Sequence, residues 1–261
     1  MNLELIVFIS PILGVLFFFF IERYELNEVY SESGRSKAIL SIEAINLITS
    51  FLLSMWFLLP LVFFLQDMQL LSLSNWKVPH YLSFAISILI LDFATYLNHL
   101  LHHKVPILWR LHRLHHIDRR VDSLTTFLHH PFELLTTFLN IVIFAVIFDI
   151  PLIALLSYGL ISSVHSAFTH FNWLIPDKWN KYIKFLIVTP NFHRVHHSIN
   201  MTEGNSNFST VFPIWDYLFR TVIIKKNIEL ETIFFGIDNQ LNNDTISFKN
   251  CIINPWLNLI K

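Results

Sequence analysis

The chain has 261 residues, of which 54% are hydrophobic, and its mean hydropathy is +0.52. A soluble protein of this size does not need so apolar a composition, which therefore predicts a membrane protein. The net charge of −1 excludes the strongly basic surface typical of nucleic-acid-binding proteins, and the single cysteine excludes an intrachain disulfide, a cysteine zinc site and an iron–sulfur cluster built by this chain alone.

The first two apolar segments are residues 3–21 and 44–65. The first contains one charge, Glu4, and has no basic leader, so we interpret it as a retained anchor and not as a cleaved signal peptide. The second has 22 residues without a charge. That length is enough to cross the hydrocarbon core of a bilayer.

The third apolar segment, residues 81–98, contains Asp92 and leads directly into His99. The fourth, residues 134–163, is interrupted between Asp149 and Pro151. At about 1.5 Å per residue this segment is short for two full crossings, so we expect a helical hairpin that turns at the interruption. No linker, repeat or low-complexity tract marks a boundary, and a single domain over residues 1–261 is expected.

Three histidine-rich motifs are the strongest chemical signal in the chain. They read HLLHH at 99–103, HRLHH at 112–116 and HRVHH at 193–197. Helix positions three and four residues apart lie on one face, so each motif aims two or three imidazoles in one direction. Neutral imidazole binds iron, zinc, copper and nickel. Because there are too many histidines for one ion, the pattern predicts a two-metal site.

The three motifs must lie on one side of the membrane to build one site, and the basic residues indicate which side. With the N-terminus outside, the loop at 22–38 holds three Lys or Arg residues and the loop carrying the first two motifs holds five, against Lys77 alone outside. Loops rich in Lys and Arg stay in the cytoplasm. We therefore expect a cytoplasmic histidine site; a bacterial inner membrane and an endoplasmic reticulum membrane are not separated by this pattern.

The histidine motifs and their neighbours resemble the fatty acid hydroxylase/sterol desaturase superfamily. Any one of the matching segments is weak evidence, whereas the ordered set over about residues 85–225 is specific. The set consists of DFATYLNHLLHH from Asp92, LWRLHRLHH from Leu108, HPFE from His130, HFN from His170, TPNFHRVHHS from Thr189 and WDYLFRT from Trp215.

This resemblance implies an all-α, multi-pass membrane enzyme, here about three spans plus the hairpin, with a cytoplasmic histidine-rich catalytic cap. It also implies a non-haem centre of two iron ions, replaceable by zinc, that uses dioxygen to hydroxylate or desaturate a lipid such as a fatty acyl chain or a sterol. The metal ligands expected on this basis are His99, His103, His112, His115, His116, His170, His193, His196 and His197, with His130 and His165 as further candidates.

The chemistry of lipid tails leads to the same kind of centre. No ordinary side chain attacks an unactivated C–H bond, whereas dioxygen activated on reduced metals does. An apolar pocket around the site excludes water. A membrane lipid is the expected substrate, and because no segment remains for a donor domain we predict an external cytochrome, ferredoxin or flavoprotein reductase as electron donor.

Three polar residues are candidates for orienting ligand imidazoles: Asp92, Asp122 and Asn172. Asp92 lies about two helical turns before His99 and could bind the second nitrogen of an imidazole, or instead a neighbour on its own helix such as Tyr96. Asp122, like Asp216, could equally cap a helix.

Three further histidines have alternative explanations. His130 precedes Pro131, a favourable first helical residue, and could simply be an N-cap. His165 lies in an apolar arm, where an ionisable side chain is costly unless a partner or a function satisfies it. His102 shares the face of His99 and His103 but falls where the family pattern has no histidine, so we expect a surface or supporting role.

Two other functions remain compatible with a histidine-rich membrane protein. A zinc-dependent membrane hydrolase usually mixes histidine with carboxylate ligands, and no His-Glu-x-x-His motif occurs. A non-enzymatic metal- or haem-binding protein would need, for haem, one histidine from each side of the ring, which motifs on one face do not provide. The substrate, and the choice between hydroxylation and desaturation, stay open.

Overall fold

The computed structural model describes residues 13–22, 33–58, 60–61, 64, 78–237 and 246–256. Over these residues the secondary structure is helical, with one isolated backbone bridge between Ser198 and Phe235. The expected all-α architecture is confirmed. The longer helices are α1 (Leu13–Glu22), α2 (Ser33–Leu53, continued by a π-helical turn at Ser54–Leu58), α3 (His80–Lys104), α4 (Pro106–His116), α5 (Pro131–Ile147) and α6 (Leu152–His170).

Six short helices follow α6 in the described part of the chain. Two 3₁₀ turns lie at Ser123–Phe127 and Asn254–Trp256. The short helices are α7 (Asp177–Ile183), α8 (Pro190–His196), α9 (Met201–Gly204), α10 (Ile214–Leu218), α11 (Asn227–Leu230) and α12 (Phe248–Ile253).

Three helical segments are long and apolar enough to cross a membrane: Gly34–Phe57, His80–Lys104 and Leu152–His170. The prediction of a multi-pass membrane protein is confirmed on this basis. α1 is a shorter apolar helix, and residues 3–12 of the first predicted segment lie outside the described residues.

The helix that contains the second apolar segment begins earlier than the first residue of that segment, residue 44. α2 starts at Ser33 and includes Arg35, whose side chain is buried. The guanidinium group of Arg35 lies 2.5 Å from the Asp118 carboxylate and 2.9 Å from the Asp122 carboxylate. A buried charge is tolerated when it is paired and hydrogen-bonded, so these two carboxylates allow the helix to extend through Arg35.

The hairpin predicted over residues 134–163 is present as α5 and α6. Its turn lies at the expected interruption, where Asp149 has φ +49° and Pro151 precedes the first residue of α6. Proline ends one helix and permits the next to begin because it cannot donate a backbone hydrogen bond. α5 is a 17-residue apolar helix, shorter than the three candidate spans, whereas α6 is itself long enough to cross a membrane. The expectation of a short hairpin therefore holds for α5 and is wrong for α6.

The two ends of the bundle have separate apolar cores. Near the hairpin turn, Leu91 of α3 packs with Ala145 of α5 and Tyr158 of α6. Near the histidine motifs, Leu114 of α4 packs with residues of α1, α2, α6 and α12. α3 runs through the centre and contacts α4, α5 and α6. The outer face of α2 is apolar and exposed, as expected for a helix that contacts lipid.

Hydrogen bonds join the end of α1 and the start of α2 to two loops at one end of this bundle. Glu22, at the end of α1, accepts hydrogen bonds from the hydroxyl of Ser123 at 2.6 Å and from the backbone N–H of Asn172 at 2.7 Å. Arg35, at the start of α2, binds the loop that precedes Ser123. The histidine motifs lie at this same end, which is the arrangement that a shared site requires.

Candidate metal centre

The histidine motifs lie on three helices that meet at the end of the bundle. α3 carries the first motif in its last two turns and leads through Val105 into α4, which begins with Pro106 and carries the second. α8 carries the third and is a short helix capped by the Thr189 side chain, which accepts from the backbone N–H of Phe192. Proline in the first turn suits both α4 and α8, because a backbone N–H there would have no helical partner.

Nine histidines on these helices and on α6 form two clusters. In each cluster, one ring nitrogen from each histidine lies within 4.8 Å of the corresponding nitrogen of every other member. We call them the five-histidine cluster (His99, His103, His112, His116 and His196) and the four-histidine cluster (His115, His170, His193 and His197). Together they contain all nine of the histidines first expected to be ligands.

The partition follows from helical spacing. On α4, His112 and His116 are four residues apart and join the five-histidine cluster, while His115 turns to the other cluster. α8 does the reverse, since His193 and His197 join the four-histidine cluster and His196 joins the five. Each helix therefore serves both clusters, and the clusters are neighbours: the rings of His116 and His197 have centroids 4.7 Å apart.

The ring nitrogens in the four-histidine cluster have the spacing of ligands around one ion. Nε2 of His170 lies 3.0 Å from Nε2 of His115, 3.1 Å from that of His193 and 3.2 Å from that of His197. Two nitrogens bound at about 2.1 Å from one ion and at right angles would lie about 3.0 Å apart. The observed distances match that value.

The five-histidine cluster has similar spacing. Nε2 of His112 lies 3.1 Å from Nε2 of His99 and 3.3 Å from Nε2 of His116. Nε2 of His103 and Nε2 of His196 are buried and have no hydrogen-bond partner among the described residues. Buried nitrogens are normally satisfied, and these two are available as ligands for a metal ion.

Several of these imidazoles are oriented through their other nitrogen. A neutral imidazole that donates from Nδ1 presents a lone pair at Nε2, so such hydrogen bonds select the tautomer that binds a metal. The Nδ1 donors and their acceptors are His99 to the Phe208 carbonyl (2.8 Å), His112 to the Glu133 carboxylate (2.7 Å), His170 to the Ser166 carbonyl (2.8 Å) and His196 to the Ser206 carbonyl (2.8 Å).

Burial keeps the clustered histidines neutral. Loss of solvent, reinforced by repulsion between neighbouring imidazoles, lowers the pKa of His116, His193 and His197 well below the ordinary value. The same causes lower the pKa of His196 to about 3. These four rings are therefore neutral at physiological pH, and their lone pairs converge. The donor set fits metal ions that prefer imidazole.

Glu133 has a role that the sequence reasoning did not assign. It lies in the first turn of α5, and its Oε1 accepts from Nδ1 of His112 at 2.7 Å and from Nδ1 of His129 at 3.0 Å. The ring of His129 in turn stacks on His115, with centroids 4.3 Å apart. The feature of the sequence that could have identified Glu133 is its place at the start of an apolar helix, directly after the HPF segment.

The structure places Asp92 away from the histidines. Its carboxylate accepts from the Tyr158 hydroxyl (2.9 Å), the Val211 backbone N–H (3.1 Å) and the Trp215 indole (2.8 Å). It therefore joins α3 to α6, to the segment before α10 and to α10 itself, and neither a ligand imidazole nor Tyr96 is among its hydrogen-bond partners in the described chain.

Asp122 and Asn172 also bind other groups. Asp122 caps the 3₁₀ turn by accepting from the backbone N–H of Leu124 and pairs with Arg35, while the Asn172 side chain accepts from Arg194. Asp216 accepts from the backbone N–H groups of Phe208 and Ser209, at 2.9 and 2.8 Å. The two carboxylates position backbone segments, and the amide holds the Arg194 side chain.

Five histidines lie outside both clusters: His80, His102, His129, His130 and His165. His130 is the N-cap of α5, where its Nδ1 accepts from the backbone N–H of Phe132 at 3.2 Å. His102 donates from Nδ1 to the Asn98 carbonyl, and its Nε2 lies 2.9 Å from the Thr136 hydroxyl. His165 belongs to neither group of clustered ring nitrogens.

A cavity of about 430 Å³ adjoins both clusters. It lies among α2, α3, α5 and α6, and its wall includes His99 and His112 of the five-histidine cluster and His115, His170 and His193 of the four-histidine cluster. The volume falls within the range of small-molecule sites. A molecule in this cavity would contact the neighbourhood of both clusters at once.

Comparison with known proteins gives a consistent picture. The model of the fatty acid hydroxylase family matches residues 84–221, a stretch that contains all nine clustered histidines. No solved structure matches the chain.

Curated relatives cover about half of the chain. The ornithine lipid hydroxylase OlsE of Rhizobium tropici is 31% identical over 52% of this chain and 40% of its own length. The alkylglycerol monooxygenase of Homo sapiens is 27% identical over 58% of this chain and 32% of its own length. The cholesterol 25-hydroxylase of Rattus norvegicus is 30% identical over 52% of this chain and 45% of its own length. The matched region is thus less than half of each of these relatives.

Proposed function

The chain belongs to the fatty acid hydroxylase family, since the matched residues 84–221 are more than half of it, and we propose that it is a membrane oxidoreductase that hydroxylates or desaturates a lipid C–H bond with dioxygen. Two non-haem iron ions are the proposed cofactor. The five-histidine cluster would hold one ion and the four-histidine cluster the other. The relatives described above, two lipid hydroxylases and an alkylglycerol monooxygenase, favour this class.

The observation that carries the proposal is the convergence of nine histidines in two adjacent clusters beside one cavity. The clusters consist of imidazole alone. Zinc hydrolases normally combine three protein ligands with an open position and often include a carboxylate, so this donor set favours the oxygenase. A haem would need histidines on opposite sides of its ring, whereas these rings surround common points.

The residues of the chain have three tasks in this proposal. The ions, when bound, supply the dioxygen activation that a C–H bond requires. Carbonyl groups and Glu133 orient His99, His112 and His196, which fixes the direction of their lone pairs. The cavity positions the lipid, and the buried surroundings of the clusters exclude bulk water.

The proposal includes a cytoplasmic histidine end, an N-terminus on the other side and an external electron donor. Support comes from the five Lys and Arg residues in the segment that carries the first two motifs. Two electrons are needed for each dioxygen in a hydroxylation. Cys251, the single cysteine of the chain, is buried and offers no redox pair.

The proposal is tested with full-length protein purified in detergent, loaded with ferrous iron and supplied with a reductant and dioxygen. Membrane lipids from cells with and without the gene are compared by mass spectrometry. We expect a product that is one oxygen atom heavier or two hydrogen atoms lighter than its precursor, and about two iron atoms per chain. Unchanged lipids with the iron-loaded protein, together with hydrolysis products, would reject the oxygenase in favour of a hydrolase.

A further inference from the structure

The short helix α7 and the turn after it direct aromatic side chains outward and a polar side chain inward. Trp179, Tyr182 and Phe185 follow one another at three-residue spacing and are 58%, 63% and 58% exposed. Asn180, in contrast, is buried, and its Oδ1 accepts a hydrogen bond at 3.0 Å from the hydroxyl of the threonine that caps α8. A helix whose outer face contacts water normally has the opposite arrangement. The outward rings therefore indicate an apolar environment beside α7.

Each of these three rings has a lysine directly before it in the sequence, and the ammonium group of that lysine lies near the ring. The distance from Nζ to the ring centroid is 5.7 Å for Lys178, 4.7 Å for Lys181 and 5.4 Å for Lys184. Among the described residues, these ammonium groups form no ion pair. Exposed rings with neighbouring lysines are typical of the boundary between hydrocarbon and headgroups, where the lysine stem is apolar and its charge stays in water.

The position of α7 in the chain places it near a membrane surface. α6 is long enough to cross a membrane and ends at His170, and α7 begins at Asp177. The connection between them reaches at most about 25 Å when fully extended. Within it, the backbone N–H of Ile175 donates to Oδ1 of Asn191 at 2.8 Å, and the carbonyl of Ile175 accepts from Nδ2 of Asn191 at 3.0 Å. α7 is thus held on α8 at the histidine end of the spanning helix.

α10 extends the outward apolar surface of α7 toward the membrane interior. The rings of Phe185 and Tyr217 have centroids 5.4 Å apart. The Trp215 indole donates to Asp92 at 2.8 Å, and Asp92 lies about 18 Å from the C-terminal end of α3. α10 therefore lies beside a spanning helix and not beyond its end. We call the exposed apolar surface of these two helices the outer patch (Trp179, Tyr182, Phe185, Leu186, Ile214 and Leu218).

From this arrangement we infer that the outer patch lies at the boundary between hydrocarbon and headgroups, and that Lys178, Lys181 and Lys184 bind the phosphate groups of anionic phospholipids. Three lysines on one short segment complement a negatively charged leaflet, toward which each contributes about fivefold in affinity. The ligand is the phospholipid of the surrounding leaflet and not the lipid that is oxidised. The inference is therefore independent of the metal chemistry. Because α7 is bonded to α8, it assigns α7 as the membrane contact of the helix that carries the third histidine motif.

Fluorescence quenching measures the depth of the outer patch in the membrane. The full chain is reconstituted into phosphatidylcholine nanodiscs that contain phospholipid brominated either near the headgroup or near the end of the acyl chain. The chain has seven tryptophans, so the signal of Trp179 is taken as the difference between the natural chain and Trp179→Phe. We expect bromine near the headgroup to quench this signal at least about twofold more than bromine near the chain end, as for a ring at the interface.

Two results of this measurement would overturn the inference. If aqueous acrylamide quenched Trp179 and neither brominated lipid did, the outer patch would face water. If acrylamide and both lipids left the signal unchanged, protein would cover the outer patch, as in a contact with a second copy of the chain.

Brominated phosphatidylglycerol and brominated phosphatidylcholine, compared at equal mole fraction, show which headgroup binds beside Trp179. We expect phosphatidylglycerol to associate at least about fivefold more tightly. Lys178→Gln, Lys181→Gln and Lys184→Gln together should remove this preference, whereas arginine at the same three positions should retain it because the charge is kept. Lys249→Gln, at an exposed position of α12, is the control for the general loss of a charge. Equal association of both lipids with the natural chain, or a full preference in the glutamine variant, would reject the role of the lysines.

Discussion

The two histidine clusters hold their imidazoles in different ways. In the five-histidine cluster, His99, His112 and His196 each donate from Nδ1 to a carbonyl or carboxylate oxygen. In the four-histidine cluster, only His170 does so, because Nδ1 of the remaining members has no hydrogen-bond partner within the described ranges. Those members are His115, His193 and His197. The five-histidine cluster is thus oriented by hydrogen bonds, and the four-histidine cluster mainly by helix packing and ring contacts.

This difference shows that the two clusters depend on different parts of the fold. The carbonyls that bind His99 and His196 belong to Phe208 and Ser206, in the irregular segment between α9 and α10. Asp216 anchors that segment, since it accepts from two of its backbone N–H groups and from the Thr221 hydroxyl at 2.6 Å. The four-histidine cluster instead combines rings from α4, α6 and α8 and its closing residue His197. Changes in the segment should therefore affect one cluster more than the other.

The largest effect is expected from removing one ring of each cluster. His196→Ala should abolish turnover and remove the ion of the five-histidine cluster, because its Nε2 is a buried ligand candidate with no other partner in the described structure. His193→Ala should do the same for the four-histidine cluster. Metal content per chain and product formation are measured for both variants. Full activity of His196→Ala would contradict the assignment of that cluster.

Glu133→Gln should have the next largest effect. The amide cannot stabilise the His112 tautomer as the carboxylate does, and loss of such a supporting group typically lowers metal affinity about 10–100-fold. We expect this loss at the five-histidine cluster, measured by competition with a chelator. Glu231→Gln, at an exposed position of the chain, is the control. Equal loss of both ions would show that Glu133 supports the whole site and not one cluster.

Asp216→Asn should have a smaller effect, directed at the same cluster. The amide retains the shape of the carboxylate but weakens the hydrogen bonds that hold the segment, with a stability cost of about 1–3 kcal/mol. We expect a few-fold lower metal affinity of the five-histidine cluster and unchanged affinity of the four-histidine cluster, from stepwise metal titration beside thermal unfolding. Asp177→Asn, on α7, provides the control. Lower stability with both affinities intact would limit Asp216 to a general structural role.

The smallest effect is expected for His130→Ala. Loss of the N-cap of α5 should cost about 1 kcal/mol of stability, and the metal content should stay unchanged. Chemical denaturation and metal analysis measure the two quantities. If an ion were lost from this variant, His130 would belong to a ligand set after all.

Local patterns in the sequence predict the helices well. The hairpin turn at Asp149 and Pro151 and the long helix that ends in the first histidine motif both occur as expected. Apolar length and proline position determine these features, and they act within one segment of chain. The start of α2 is different, because the charge of Arg35 is compensated by carboxylates more than 80 residues away. A prediction from the local sequence alone therefore places the start of this membrane segment after the charge of Arg35.

The hydrogen-bond partners of Asp92 and Glu133 also could not be predicted from the local sequence. Its position two turns before His99 makes Asp92 a candidate for orienting an imidazole, yet its partners come from α6, from the segment before α10 and from α10 itself. Glu133, which does contact His112, lies on a different helix from that histidine. Spacing along a helix tells which side chains share a face, but it does not tell which other element packs against that face.

The amino-acid sequence by itself determined a helical membrane protein with histidine motifs at metal-ligand spacing, because hydrophobic length and helical periodicity are local properties. Only the tertiary structure decided that the nine histidines divide into groups of five and four, with α4 and α8 serving both. It also decided that carbonyls of one irregular segment and one glutamate orient a single cluster. The physical reason is that coordination and hydrogen bonding depend on distances of about 3 Å between residues far apart in the chain, and packing alone sets those distances.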